Sequence, residues 1–432
     1  MRKLSYQWEE LGLSIIVRQD DVRRQNQFGV LMALRRHGFQ SRTDLSAVTG
    51  LSASTVTVIT NSLLDRGALV AEAIGEFAGP RRGRPQVRLS PNPMHASVAV
   101  IFLGLNAIQI ELADYAGMVV GSMVQKTPTH ELSGDELADV LISALNSLLE
   151  RHGADLGPLG RIAVGVEGIV DADGQTLLSS PVTGTCDVPI GRMLGRAFGA
   201  SVEIANESNM VAEALRWKAP ERYGTDFATV LLSVGVGMGL YLNGSLFSGI
   251  RSSAVEFGHM CYQPDGALCR CGRRGCIEAY AGMHSIWRMA TGADELAVLQ
   301  EEPPENALEL LMSRARASDG PERRAFREAG KAIGTGLSNL FTMLDAIPLV
   351  FTGPGVAALD LMMESIKDAL ARPCFGLPVS VSVIDSYLDY RALIREGALM
   401  RALVFLDQTM PGMGEFRERA ALDEGQTKKA RQ

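Results

Sequence analysis

One histidine and three cysteines, His259, Cys269, Cys271 and Cys276, follow one another as His-x9-Cys-x-Cys-x4-Cys. Three thiols and one imidazole are the donor set of a closed tetrahedral zinc site. Gly272 and Gly275 let the backbone turn tightly enough for the three sulfurs to converge. A disulfide and inert core thiols are the competing readings. Cys269 and Cys271 are too close in sequence to pair comfortably with each other, and cysteines so clustered are seldom mere packing. The spacing predicts structural Zn2+ on these four residues. Glu256 stands three residues before the histidine, and Glu278 two after the last cysteine. Fixing one ring nitrogen of His259 on a metal orients the other toward a ligand. A pinned imidazole between two carboxylates offers one donor and several acceptors, which suits the hydroxyls of a sugar. Two solvated loop glutamates would show the same spacing.

The chain that must position these groups has 432 residues, more than one hydrophobic core usually supports, so two or three domains are expected. An apolar fraction of 46% marks a globular chain. No run approaches the length of a membrane span, and residues 1–20, which remain unassigned, lack the pattern of a signal peptide. The other cysteines, Cys186, Cys261 and Cys374, form no disulfide-like framework, which favours a reducing cytoplasm. With a net charge of −7, any contact to nucleic acid must come from a local basic region.

Such a region lies at residues 21–90. Phe28, Val30, Leu31 and Leu34 recur at helical spacing up to His37-Gly38. Ser41 with Asp44 reads as a helix start, Thr49-Gly50-Leu51-Ser52 as a turn, and Val56, Ile59 and Leu63 as one face of the next helix. This is the helix-turn-helix pattern, although helical hairpins also occur in plain bundles. Residues 69–72 and 87–89 then read as paired strands flanking Arg81-Arg82-Gly83-Arg84-Pro85. That makes a β-hairpin wing whose flat cationic tip suits a narrow A/T-rich minor groove; a solvated loop is the plainer reading. Basic residues outnumber acidic ones here, reversing the sign of the whole chain. In a winged helix-turn-helix, Ala53, Ser54, Thr57 and Val58 would face base edges, with Ser52 and Thr55 nearer the phosphates. None is a bidentate base reader, so direct readout is expected to be modest.

Past a linker at 91–93 the pattern becomes α/β. Strands are expected at 98–103, 108–114 and 119–124, a helix at 135–152, strands at 162–166 and 202–205, and a helix at 210–217. A second half follows: a strand at 229–234, a tight glycine turn at 235–239, its partner strand at 240–242, then the cysteine segment. A helical block at 280–344, a strand at 349–351, a turn at 352–355 and a strand at 379–384 complete it. Two halves, each opening with antiparallel strands, imply an internal duplication with a cleft between lobes. The lobes are placed at 91–216 and 217–389, with a helix near 390–408 packing back on the first. The charged tail 412–432 is expected to be disordered.

Glu256-Phe257-Gly258-His259-Met260, the Cys269-x-Cys271-Gly272-x-x-Gly275-Cys276-Ile277-Glu278 run, and the amino-terminal Ser41-Arg42-x-Asp44-Leu45 with Gly83-Arg84-Pro85 together resemble the ROK family (repressors, open reading frames and kinases). The resemblance covers about residues 26–401 and is to the family's transcription-factor branch, typified by xylose and N-acetylglucosamine repressors. It implies a winged helix-turn-helix followed by a duplicated actin-like, ribonuclease-H-like core with a zinc loop. It also implies a sugar site made of Gly168, Asn206, Glu207, Glu256, His259 and Glu278. In the family's kinases an aspartate stands at the place of Glu207 and takes the proton of the sugar hydroxyl. Their phosphate loop, Asp-x-Gly-Gly-Thr, aligns with Phe102-Leu103-Gly104-Leu105-Asn106, which has lost the carboxylate and the threonine. Ser233-Val234 replaces the usual Gly-Thr, and Pro354 interrupts the adenosine-side turn. Glu167 replaces a proline, and Pro181-Val182 with Cys186-Asp187 replaces a Pro-Asn and tryptophan stretch. The resemblance therefore implies no catalytic residue and a sugar-responsive repressor, acting on operator DNA as a homodimer or homotetramer. The alternatives are an ATP-dependent sugar kinase with an added amino-terminal domain, and a DNA-binding protein whose pocket has decayed. Arg84→Ala is expected to weaken binding across all duplex sequences, because it removes a minor-groove cation; a gel-shift titration checks this.

Overall fold

The computed structural model describes residues 19–73, 87–252, 255–293, 305–371 and 383–409. The arginine-rich hairpin tip, the amino-terminal lead, Cys374 and the charged tail lie outside the described residues. The chain forms two compact units, one from Met1–His95 with Val404–Gln432, the other Ala96–Leu403.

In the first unit, α1 (Gln19–His37), α2 (Arg42–Thr49) and α3 (Ala53–Asp65) precede a hairpin of β1 (Leu69–Ala73) and β2 (Val87–Pro91). Ser41 starts α2 with a reciprocal capping box: its hydroxyl accepts from the Asp44 amide, while the Asp44 carboxylate accepts from the Ser41 amide. Gly50 ends α2 at φ 70°, a left-handed turn that favours glycine, and the axes of α2 and α3 bend by 118°. Leu31, Leu34, Leu45, Val56, Ile59, Leu63 and Leu89 close the core. The last turns of α13 (Tyr390–Thr409) also belong here. Arg35 grips Asp407 there through two nitrogens, with Nη2 at 2.7 Å from Oδ1, and the two side chains are only 3% and 0% exposed.

The second unit repeats one topology. In its first half β3 (Ser97–Leu103), β4 (Ala107–Asp114) and β5 (Val119–Lys126) form an antiparallel meander. Strands β6 (Leu159–Val166) and β9 (Ser201–Asn206) continue it in parallel, giving the order β5-β4-β3-β6-β9. Between them lie α4 (Gly134–His152), the short pair β7 (Ile169–Val170) and β8 (Leu177–Ser179), and α5 (Ile190–Phe198). Helix α4 lays Leu137, Leu141, Leu145 and Leu148 on the sheet, the one-sided spacing of an amphipathic helix. After α6 (Glu207–Lys218) and α7 (Pro220–Tyr223), the second half sets β10 (Phe227–Leu232), β11 (Val236–Leu242) and β12 (Ser245–Leu246) antiparallel. Strands β13 (Leu349–Thr352) and β14 (Val383–Tyr387) run parallel, in the order β12-β11-β10-β13-β14. Its helices are α8 (Glu278–Ala281), α9 (Met283–Thr291), α10 (Glu305–Ala317), α11 (Pro321–Leu344) and α12 (Leu359–Leu370).

Three expectations shift. Residues 235–239 are not one tight turn, since β11 already begins at Val236. A Cβ on Gly237 would lie 2.1 Å from Ser208 Oγ, and one on Gly239 2.4 Å from the Ser208 carbonyl oxygen. These glycines let α6 approach the strand. Helix α6 itself begins at Glu207 rather than 210, because the Asn206 side chain accepts from the Ser208 amide and caps it. Finally, of the strand expected at 379–384, residues 379–382 lie outside the described residues, and the described part, Val383–Tyr387, runs past 384 with Val350 paired to Asp385 and Thr352 to Tyr387.

Asp407→Ala leaves the Arg35 guanidinium buried without its carboxylate partner. It is expected to destabilise the first unit by about 3–5 kcal/mol, measured by denaturant unfolding.

Candidate functional site

The cysteine segment closes on itself through its own backbone hydrogen bonds. A short 3-10 turn, Phe257–His259, is anchored by the fully buried Phe257. Bridges Cys261↔Cys276 and Leu268↔Arg274 then bring the ends of the loop together. Gly275 sits at φ 79° with its would-be Cβ 1.8 Å from the Gln263 carbonyl oxygen, so no side chain fits. The ligand atoms of His259, Cys269, Cys271 and Cys276 all come within 4.8 Å of one another. Cys269 Sγ is 3.7 Å from His259 Nδ1, and Cys271 Sγ is 3.7 Å from Cys276 Sγ. A tetrahedron with metal–sulfur bonds of about 2.3 Å has edges of about 3.8 Å, so the four residues fit a metal ion. Burial pushes the Cys269 thiol above its ordinary range, a cost that a divalent cation at the centre would reverse.

Beside this cluster, a cavity of about 460 Å³ opens between the two halves of the second unit. All six sugar-site residues expected from the sequence line it: Gly168, Asn206, Glu207, Glu256, His259 and Glu278. Gly168 follows β6 at φ 142°, with a would-be Cβ 2.4 Å from the Ser179 carbonyl oxygen. Asn206 works as a brace: its Nδ2 donates to the Gly168 carbonyl at 2.8 Å while its Oδ1 caps α6. Glu207, 7% exposed, is the first residue of α6, where the helix N-terminus favours a carboxylate. With Nδ1 turned to the thiols, His259 sets Nε2 3.8 Å from Glu256 Oε2. Burial raises the pKa of Glu256. Glu278 is 4% exposed and accepts the Val236 amide at 3.1 Å. Burial opposes its charge, yet Arg270 and the neighbouring imidazoles hold it below the usual carboxylate range. Glu278 is therefore not a solvated loop residue, whereas Glu256 stands in a loop with its side chain 35% exposed.

Two cleft residues carry more than spacing foretold. Arg270, between two of the cysteines, reaches Glu167 at the end of β6 at 2.8 Å and lies 3.5 Å from Glu278. A Cβ on Gly235 would fall 2.5 Å from Glu278 Oε2, 2.8 Å from Arg270 Nη2 and 3.2 Å from Glu167 Oε1. The three charged groups therefore pack directly over the 233–235 turn. His284 secures that turn from below, its Nδ1 2.6 Å from the Val234 carbonyl oxygen and its Nε2 2.9 Å from Ser285 Oγ. Burial lowers its pKa to about 4, so it is a neutral imidazole at pH 7. The signal for Arg270 was its position: a residue with a metal ligand on either side has little freedom of backbone. Val182, where sugar-binding relatives were expected to show asparagine, is 1% exposed. Cys186 and Asp187 are exposed.

On α3, Ser52, Ala53, Ser54, Thr57 and Val58 are exposed, Val58 by 60%, with Thr55 half-buried. Ser52 Oγ caps α3 by accepting the Thr55 amide at 3.1 Å, and Thr57 Oγ1 donates to the Ala53 carbonyl at 2.7 Å. Arg42, at the start of α2, is held against α3 by Thr60 and Asn61, both at 2.9 Å. Arg81, Arg82 and Arg84 lie outside the described residues.

Duplicated mixed sheets around a polar cleft define the actin-like class of α/β proteins. The ROK family model matches residues 103–389, and the chain belongs to that family. It is 24% identical over 380 residues to the xylose repressor of Bacillus subtilis (strain 168), covering 87% of this chain and 94% of the relative. It is 26% identical over 297 residues to a glucokinase of Halalkalibacterium halodurans, covering 66% of this chain and 89% of the enzyme. Among solved structures, a ROK family transcriptional regulator described as a homologue of the E. coli MLC protein superposes with a TM-score of 0.72. That match has 21% identity and covers 90% of this chain and 98% of the other. No single helix among the described residues is long and apolar enough to cross a membrane.

Cys276→Ser removes one thiolate from the cluster. Its expected outcome is loss of bound metal, from about one ion per chain to near none, together with aggregation; elemental analysis and thermal unfolding check both.

Proposed function

We propose that this protein is a sugar-responsive transcriptional regulator, a repressor, that binds operator DNA through a winged helix-turn-helix and carries a sugar in a cleft no longer fit for phosphoryl transfer. One observation carries the second half of that reading: the 233–235 turn faces carboxylates. Gly237 and Gly239 pack against α6 on the side a Cβ would take, and Gly235 lies beside Glu278, Arg270 and Glu167, while Gly235 and Gly237 line the cavity. Phosphoryl transfer needs open backbone and cations aimed at the nucleotide phosphates. Here the turn is overlaid by two carboxylates. In the loop at 102–106, Thr129 Oγ1 engages the carbonyls of Gly104 and Leu105 at 2.8 and 2.7 Å, and no acidic side chain is present to hold Mg2+. The sugar end, by contrast, keeps its braced glycine, its carboxylates and its imidazole.

Zinc, held by His259, Cys269, Cys271 and Cys276, would supply charge neutralisation and fix His259 and Arg270 in place; it is structural. DNA is met by the exposed face of α3 at Ser52, Ala53, Ser54, Thr55 and Thr57, with Arg81, Arg82 and Arg84 in an adjoining A/T-rich minor groove. The active form is a homodimer or homotetramer. A sugar that closes the cleft favours one of two conformations and so changes operator affinity. Helix α13 is suited to relay that change: Tyr390 and Arg391 in its first turn line a second chamber of the cleft, and the helix passes into the first unit between Leu403 and Val404.

The reading is tested by three measurements on one preparation. A coupled ATPase assay over common hexoses and pentoses is expected to show no turnover above background. Calorimetry with the same sugars is expected to find at least one ligand, and that ligand is expected to shift operator affinity in a gel-shift titration by about fivefold or more. Brisk sugar-dependent ATP hydrolysis without affinity for duplex DNA would instead identify a kinase.

A further inference from the structure

The cleft is divided. Its sugar chamber of about 460 Å³ adjoins a second chamber of about 320 Å³ at the old phosphate loop, and Glu167, Glu207 and Arg270 border both. Glu167 comes from the first half of the unit and Arg270 from the cysteine loop of the second, so their 2.8 Å ion pair crosses the cleft at the boundary. Resting on the effector reading above, we propose that this pair is a specificity gate, which admits an uncharged sugar and excludes the same sugar carrying a phosphate.

The charges at the boundary explain the selectivity. The Arg270 guanidinium already faces two carboxylates, Glu167 at 2.8 Å and Glu278 at 3.5 Å. Glu207, 7% exposed, adds a third acidic group to the same partition. A phosphate monoester brings about −1.5 to −2 charges at neutral pH and would sit among these part-buried carboxylates. The other cations are placed elsewhere. Arg273 lines the sugar chamber but donates to the His259 carbonyl at 3.2 Å, on the cysteine loop. Arg391 lines the second chamber only, beyond the partition. A neutral sugar meets the same carboxylates as hydrogen-bond acceptors for its hydroxyls, which is a favourable use of them. Arg270 is bracketed by two of the four metal-ligating candidates, so the gate is stiff on one side, and Glu167 is its adjustable half.

Calorimetry on full-length, zinc-loaded protein tests this, with common hexoses, pentoses and N-acetylglucosamine, each paired with its phosphate ester. The wild-type chain is expected to bind the free sugar at least about tenfold more tightly than the ester, since like charges brought together in a part-buried site are unfavourable. Glu167→Gln removes one negative charge beside Arg270 while keeping an acceptor for it, and is expected to shrink that ratio about tenfold or invert it. Glu167→Ala should move the ratio in the same direction, and unchanged zinc content in both variants keeps the result from being a loss of the loop. Wild-type protein that binds the ester as well as the sugar would overturn the gate while leaving a sugar-responsive regulator intact. So would a ratio that neither variant changes. Binding of no sugar and no ester by any variant would overturn the effector reading and the gate together.

Discussion

Four ligand atoms drawn within 4.8 Å of one another organise the polar side of the cleft. The loop that carries them cannot relax: Gly275 stands against the Gln263 carbonyl, and the bridges at Cys261↔Cys276 and Leu268↔Arg274 close it on itself. Every functional group hung on that loop inherits its position. His259 turns one nitrogen to the thiols and presents the other near Glu256. Arg270 leaves the loop between two sulfurs and has one direction in which to reach. Glu278, two residues past the last cysteine, is delivered to the floor of the cleft at the start of α8. A loop whose His/Cys cluster could hold a metal ion thereby sets the geometry of a neighbouring pocket, as groups just outside a ligand shell commonly do.

The same economy governs the glycines of β11. Sequence marks them as a phosphate-binding turn, and packing gives them another job. Helix α6 lies so close that Ser208 fills the space above Gly237 and Gly239. The one glycine left at the turn is covered by charged side chains. These glycines hold a helix on one side and lie beside an ion cluster at the turn. The proposed loss of phosphoryl transfer rests on the carboxylates at the turn and on the carboxylate missing at 102–106.

Helix α13 relates these parts to the rest of the chain. Gly397 brings it against α6, where a Cβ would lie 1.9 Å from the Met210 carbonyl oxygen, and Arg401 pairs with Glu203 and with Glu213, the latter at 2.7 Å. Further along, Asp407 holds Arg35 in a buried pair. Buried ion pairs contribute little net stability, but they tolerate few alternative arrangements, which suits an element whose register has to be kept.

Local chemistry was legible from the residues alone. The His-x9-Cys-x-Cys-x4-Cys spacing put four ligands in one loop, the Ser41 and Ser52 caps fixed the starts of α2 and α3, and alternating apolar runs gave most strands to within a few residues. These features depend on neighbours in sequence, and short-range spacing records them. The pairing of Glu167 with Arg270, the burial of Glu278, the brace at Asn206 and the true extent of β11 could not be read that way. Each depends on residues far apart in the chain, brought together only when two sheets face one another across a cleft. Sequence determined which groups were available; long-range packing decided which of them meet, and which glycines still have backbone to offer.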